Sequence, residues 1–119
     1  MKDPEGFASR ADEFYEWMRV QNYSERTVEN RQSYLKFFFD WCEDRGVLRP
    51  QEVTKPVIER YQRYLYHYRN PKTDFPLSIR SHHCRVIPIR AFFRWLIRHN
   101  HILYNPAGDI DMPKLEHRL

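Results

Sequence analysis

The chain predicts an all-α fold, a compact bundle of four long helices closed by a short C-terminal turn. Three observations carry this. Only 3 of the 119 residues are glycine, and strand-like alternation is hard to find. Aromatic residues make up 16% of the chain, enough apolar surface for one core despite a polar average. Finally, one pattern is written twice, 54 residues apart: Ser24-x-Arg26-Thr27, Arg31, Lys36 and Phe38-Phe39-x-Trp41, then Ser78-x-Arg80-Ser81, Arg85, Arg90 and Phe92-Phe93-x-Trp95. Each copy has a hydroxyl able to cap a helix, an arginine in the first turn and a bulky aromatic end.

In chain order, Phe7, Ala11, Phe14, Tyr15 and Met18 fall at helical spacing and predict a first helix over about 6–21. Ser24 is a natural N-cap for a second, which runs to Arg45 and stops at Gly46. Its apolar face holds Val28, Leu35, Phe38, Phe39 and Cys42, while Arg26, Glu29, Asn30 and Ser33 fall on the other side. Thr54 caps a third helix with Pro56 in its first turn, where the missing N–H costs little. Its expected core stripe is Val57, Ile58, Tyr61, Tyr64, Leu65 and Tyr68. Residues 70–76 are rich in breakers and predict a loop. Ser78 caps a fourth helix reaching about Asn100; Pro88 inside it should bend the helix and shift the phase of its apolar stripe. Asn105-Pro106-Ala107 opens the last turn, and Met112-Pro113-Lys114-Leu115 is an extended exit.

The net charge of +4 conceals an asymmetry. Residues 1–53 carry 8 basic and 11 acidic side chains, whereas residues 54–119 carry 12 and 5. From Phe75 to Gly108 there is no acid, yet Arg80, Arg85, Arg90, Arg94 and Arg98 recur. Arginine outnumbers lysine 15 to 5, which suits forked contacts to phosphate or base edges. Such a surface fits an extended polyanion gripped at two helix starts. Arg94 and Arg98, three or four turns from the fourth helix's start, are expected to face solvent or another domain.

Other chemistry is poorly supported. His82, His83 and Cys84 are consecutive, with His99 and His101 beyond. Adjacent helical positions point about 100° apart and cannot share one ion, so no metal site is assigned. The tyrosines lack an activating base and an oxyanion clamp, and neither a glycine-rich phosphate loop nor a paired-carboxylate signature is present. No catalytic residue, cofactor or small-molecule substrate is expected. No apolar run approaches the ~18–20 residues of a membrane span, and the first residues lack the apolar stretch of a secretory signal. Cys42 and Cys84 are expected to be reduced thiols in a cytoplasmic protein.

The layout resembles the N-terminal core-binding domain of tyrosine recombinases, the family of phage integrases and Xer-type recombinases. Tyr23-Ser24-x-x-Thr27 followed by Tyr34, Phe38 and Trp41 resembles the family's second-helix pattern. Leu77-Ser78 and Ile89-Arg90-x-Phe92-Phe93-x-Trp95-Leu96 resemble its fourth, and Asn105-Pro106-Ala107 with Pro113-Lys114 resembles the stretch before the catalytic domain. The resemblance implies a SAM-like helical fold that arches over one face of double-stranded DNA, with the second and fourth helix starts at the major groove. The contacts it implies are Ser24, Arg26, Thr27, Asn30 and Arg31 from one start. From the other they are Ser78, Arg80, Ser81, His82 and Arg85.

It further implies that residues 1–112 form the DNA-binding domain and that 113–119 begin a linker to a C-terminal catalytic domain absent from this chain. The parent would be a homotetramer on two DNA sites, with its catalytic tyrosine in that second domain. Pro88 departs from the resemblance, since family members often keep this helix regular. Two rivals stand beside this reading: a helical protein–protein interaction module with a basic face, and a helix-turn-helix regulator. The regulator suffers from the long, proline-rich stretch Arg69 to Leu77, where a tight turn is required.

Overall fold

Each of the last three helices begins where the sequence places a hydroxyl. In the computed structural model, which describes residues 2–115, α1 is Phe7–Val20, α2 Glu25–Glu43, α3 Lys55–His67 and α4 Ile79–Arg98. Ser24 Oγ accepts the Thr27 N–H at 3.2 Å, Ser78 Oγ that of Ser81 at 3.1 Å, and Thr54 Oγ1 that of Val57 at 3.4 Å. These bonds satisfy donors that the helical ladder leaves free. A 3-10 turn, Pro50–Glu52, bridges α2 to α3.

Three helices also end alike. Asn22, Gly46 and Asn100 take left-handed φ angles of 68°, 79° and 63°. The following N–H groups reach back to helix carbonyls: Tyr23 to Met18, Val47 to Cys42 and His101 to Leu96, at 2.9–3.0 Å. This doubly bonded stop closes the helix and turns the chain sharply. Residues 69–76 form a loop pinched by an isolated antiparallel bridge between Arg69 and Pro76; no strand is present among the described residues.

Packing gathers the aromatics. Phe38 is wholly buried, and its ring neighbours Phe7 of α1, Tyr61 of α3 and Phe93 of α4, with centroids 6.4, 5.0 and 6.4 Å away. Phe39 stacks on Phe7 at 4.7 Å and meets Phe92 edge-on at 5.4 Å. All four helices therefore share one core. Within it α2 and α4 run antiparallel: Asp44 at the end of α2 shares a cleft with Leu77, Phe37 lies against Arg85, and Arg31 shares a cleft with Arg94 and Arg98.

Two expectations need correction. The apolar stripe of α4 does not shift at Pro88. His82, Val86, Ile89, Phe93 and Leu96 form one continuous buried stripe, with Pro88 buried on its flank. One missing N–H leaves both halves of the helix packed on the same aromatic core, which sets the phase. The stripe of α3 is narrower than expected: Ile58, Tyr61 and Leu65 are buried, Val57 and Tyr68 half-buried, and Tyr64 exposed. An amphipathic tyrosine can lie at the margin with its ring edge packed and its hydroxyl wet.

After α4 the chain turns over residues 106–109 and passes back along α3 and α4. Lys55 pairs with Asp109 at 3.2 Å, Gln62 Nε2 donates to the Asp111 carbonyl at 2.7 Å, and His83 Nδ1 lies 3.3 Å from the Pro113 carbonyl. The expected linker, 113–119, falls within the described residues only to 115.

Candidate nucleic-acid interface

The two helix starts picked out by the repeat are built alike. Ser24 and Ser78 spend their oxygens on the capping bonds, and Thr27 Oγ1 lies 2.9 Å from Ser24 Oγ. Arg26 and Arg80 then project from the first turns as exposed side chains, and neither has an ion-pair partner among the described residues. Asn30 is exposed one turn beyond Arg26, and Ser81 is half-buried. Because α2 and α4 are antiparallel, the starts lie at opposite ends of the pair. The 20 residues of α4 put them roughly 30 Å apart at ~1.5 Å per residue.

Arg31 and Arg85, equivalent in the repeat, are both half-buried over aromatic rings. The Arg31 guanidinium lies 5.3 Å from the Tyr23 ring centre; that of Arg85 lies 5.0 Å from Phe37 and 5.7 Å from Tyr34. The ring faces attract the cations and fix their direction, leaving the guanidinium edges to bond elsewhere. Burial pushes the Tyr61 phenol well above its ordinary value, and the nearby Arg85 charge offsets only part of that rise.

His82 does not belong with these residues. It is 9% exposed, its Nε2 is buried without a partner, and burial holds it below the ordinary histidine value. The repeat itself contained the warning. Position 82 corresponds to Val28, which is wholly buried, so His82 occupies a core position of the motif.

Arg94 and Arg98 are exposed, as expected, yet they are not remote from the first helix start. They line a cleft of about 300 Å³ with Arg31, Tyr23 and Trp17, beside the beginning of α2. The antiparallel packing brings the C-terminal half of α4 to that place, which a motif read along the chain does not reveal. Among the described residues no group of three or more His, Cys, Asp or Glu side chains is placed to hold a metal ion.

The geometry is thus a pair of capped helix starts, each with an exposed arginine, joined by a surface whose α4 side carries no acid from Phe75 to Gly108. A family model described as the phage integrase SAM-like domain matches residues 7–110. The chain belongs to that family. The phage integrase SAM-like domain so defined takes in all four helices and the closing turn.

Among curated proteins, tyrosine recombinase XerC 2 of Ralstonia nicotianae is 46% identical over 105 residues, covering 88% of this chain and 30% of that protein. Tyrosine recombinase XerC of Leptospira interrogans is 27% identical over 112 residues, 93% of this chain and 34% of the relative. That of Oceanobacillus iheyensis is 27% identical over 104 residues, 87% and 32%. The chain spans about a third of the length of these relatives. No solved structure matches it. No described helix is long and apolar enough to cross a membrane.

Proposed function

We propose that this phage integrase SAM-like domain is the DNA-binding N-terminal module of a site-specific tyrosine recombinase. It grips double-stranded recombination-site DNA through the N-terminal ends of α2 and α4. The observation that carries the reading is the repeated helix start, with Arg26 and Arg80 exposed in equivalent first turns and without an ion-pair partner among the described residues. A helix start offers N–H groups and partial positive charge to phosphate, and an arginine there adds a forked donor for phosphate or guanine. The spacing of roughly 30 Å between the starts approaches the ~34 Å of one DNA turn, so both can meet one face of a duplex.

In this reading residues 1–112 are the binding domain and Pro113 begins the path to a C-terminal catalytic domain of the same polypeptide. That domain would supply the tyrosine nucleophile and its arginine, lysine and histidine partners, and four copies would assemble on two DNA sites in the cytoplasm. The relatives, about three times as long, are named tyrosine recombinases.

The test is titration of a fluorescent duplex at several salt concentrations. About four phosphate contacts, from Arg26, Arg31, Arg80 and Arg85, predict a log–log slope of roughly −3 to −4. Affinity that is absent at low salt, or flat with salt, would instead favour a basic face that meets an acidic protein.

A further inference from the structure

Among the described residues, the cleft between α1, α2 and α4 is lined by three arginines and no acid. Arg31, Arg94 and Arg98 line it, His99 lies at its edge, and Trp17 and Tyr23 form an aromatic wall. We propose that this cleft is a binding site for a backbone phosphate of the DNA, with Arg31, Arg94 and Arg98 as its ligands. The inference rests on the DNA-binding reading above and extends the grip at the α2 start, adding Arg94 and Arg98 to Arg31 and about 2 to the steepness of the salt slope that the helix starts alone would give.

The side chains are arranged for that task. Arg94 and Arg98 stand one turn apart on α4, so both guanidinium groups reach the same opening. Arg31 faces them from α2, half-buried, with its guanidinium over Tyr23 and its Nη1 3.8 Å from Met18 Sδ. A methionine sulfur is a weak acceptor, so most of the Arg31 donor capacity is still open. None of the three arginines has an ion-pair partner among the described residues. Three uncompensated guanidinium groups around one opening repel one another, and an anion between them removes that repulsion.

The negative end of the α4 dipole lies nearby and works against an anion. Its last carbonyls are already engaged: His99, Asn100 and His101 donate their N–H groups to Trp95, Ile97 and Leu96 at 2.9–3.2 Å. The opposition is therefore muted, and the arginines extend beyond it. The aromatic wall gives one side of the site an apolar lining, which strengthens each charged hydrogen bond to a phosphate bound against it.

The experiment measures binding of the 119-residue chain to one labelled 20-base-pair duplex across a salt series. It compares Arg94→Gln/Arg98→Gln with Arg60→Gln/Arg63→Gln, two exposed arginines of α3 that subtract the same charge. The cleft pair should weaken binding about tenfold or more at ~0.1 M salt and reduce the steepness of the salt slope by about 2. The α3 pair should lose less than about threefold and leave the slope unchanged. Far-UV circular dichroism and thermal melts should match wild type for both, since all four side chains are exposed.

Wild-type affinity and slope in the cleft pair would overturn the site, while loss in Arg26→Ala/Arg80→Ala would show that DNA binding itself stands. Equal losses from the cleft and α3 pairs would also overturn it, leaving only diffuse positive charge. A wild-type chain that ignores DNA, or that binds only an acidic protein, would overturn the parent reading and this site together.

Discussion

Phe38 and Phe37 are neighbours in sequence and opposites in structure, which makes them a sharp test of the packing. Phe38 is 0% exposed and its ring meets Phe7, Phe39, Trp41, Tyr61 and Phe93 within 6.5 Å. Phe38→Ala deletes a ring that meets rings of α1, α3 and α4 at once. Lost transfer energy and an unfilled cavity together cost about 3–5 kcal/mol, and the edge-on contacts favour the upper part of that range.

Phe37 is 55% exposed, and the Arg85 cation lies 5.0 Å from its ring centre. Phe37→Ala should cost about 1 kcal/mol or less. Urea melts followed by circular dichroism measure both, with the midpoint shift read at a common slope. Losses of similar size, or a Phe38→Ala loss under roughly 1 kcal/mol, would refute a core centred on Phe38.

Two further outcomes concern single buried groups. Cys42 is buried and its thiol is pushed up to about 12 by that burial, whereas Cys84 is half-exposed. A thiol reagent at neutral pH should label one cysteine per folded chain and two in denaturant, and fast labelling of both in the folded chain would contradict the packing. Burial likewise lowers the proton affinity of His82, so the unfolded chain binds a proton that the folded chain resists. The stability this allows is complete above about pH 6.5 and falls as pH drops toward the depressed folded value. His82→Leu should therefore flatten the loss of stability between about pH 7 and pH 5. His101, lowered mainly by burial and by Arg10 despite Glu13 Oε2 at 3.3 Å, keeps part of the slope. An unchanged acid response in His82→Leu would place the titration elsewhere.

The local rules written into this chain were readable because each depends on a few adjacent residues. Ser24, Thr54 and Ser78 announce helix starts, and Gly46 announces a stop. Asn22 and Asn100 do the same work as Gly46 and were harder to see, since asparagine is only an occasional left-handed residue. His82 is polar yet sits in core register: its partner position in the repeat, Val28, is wholly buried. Pro88 predicts a bend and a shift of the apolar stripe because it removes one backbone N–H, but the aromatic core on both sides keeps one buried stripe despite that lost hydrogen bond. The cleft of Arg31, Arg94 and Arg98 was not legible, because it exists only through the antiparallel pairing of two helices some 60 residues apart.

A grip at two helix starts predicts a specific difference between two double variants. Arg26→Ala/Arg80→Ala should abolish most duplex affinity at moderate salt, each arginine being worth about 1–3 kcal/mol, with helical content unchanged. Arg60→Gln/Arg63→Gln, equal in charge removed, should lose only the screened long-range attraction. Equal losses from the two double variants, or undiminished binding by Arg26→Ala/Arg80→Ala, would contradict the claim.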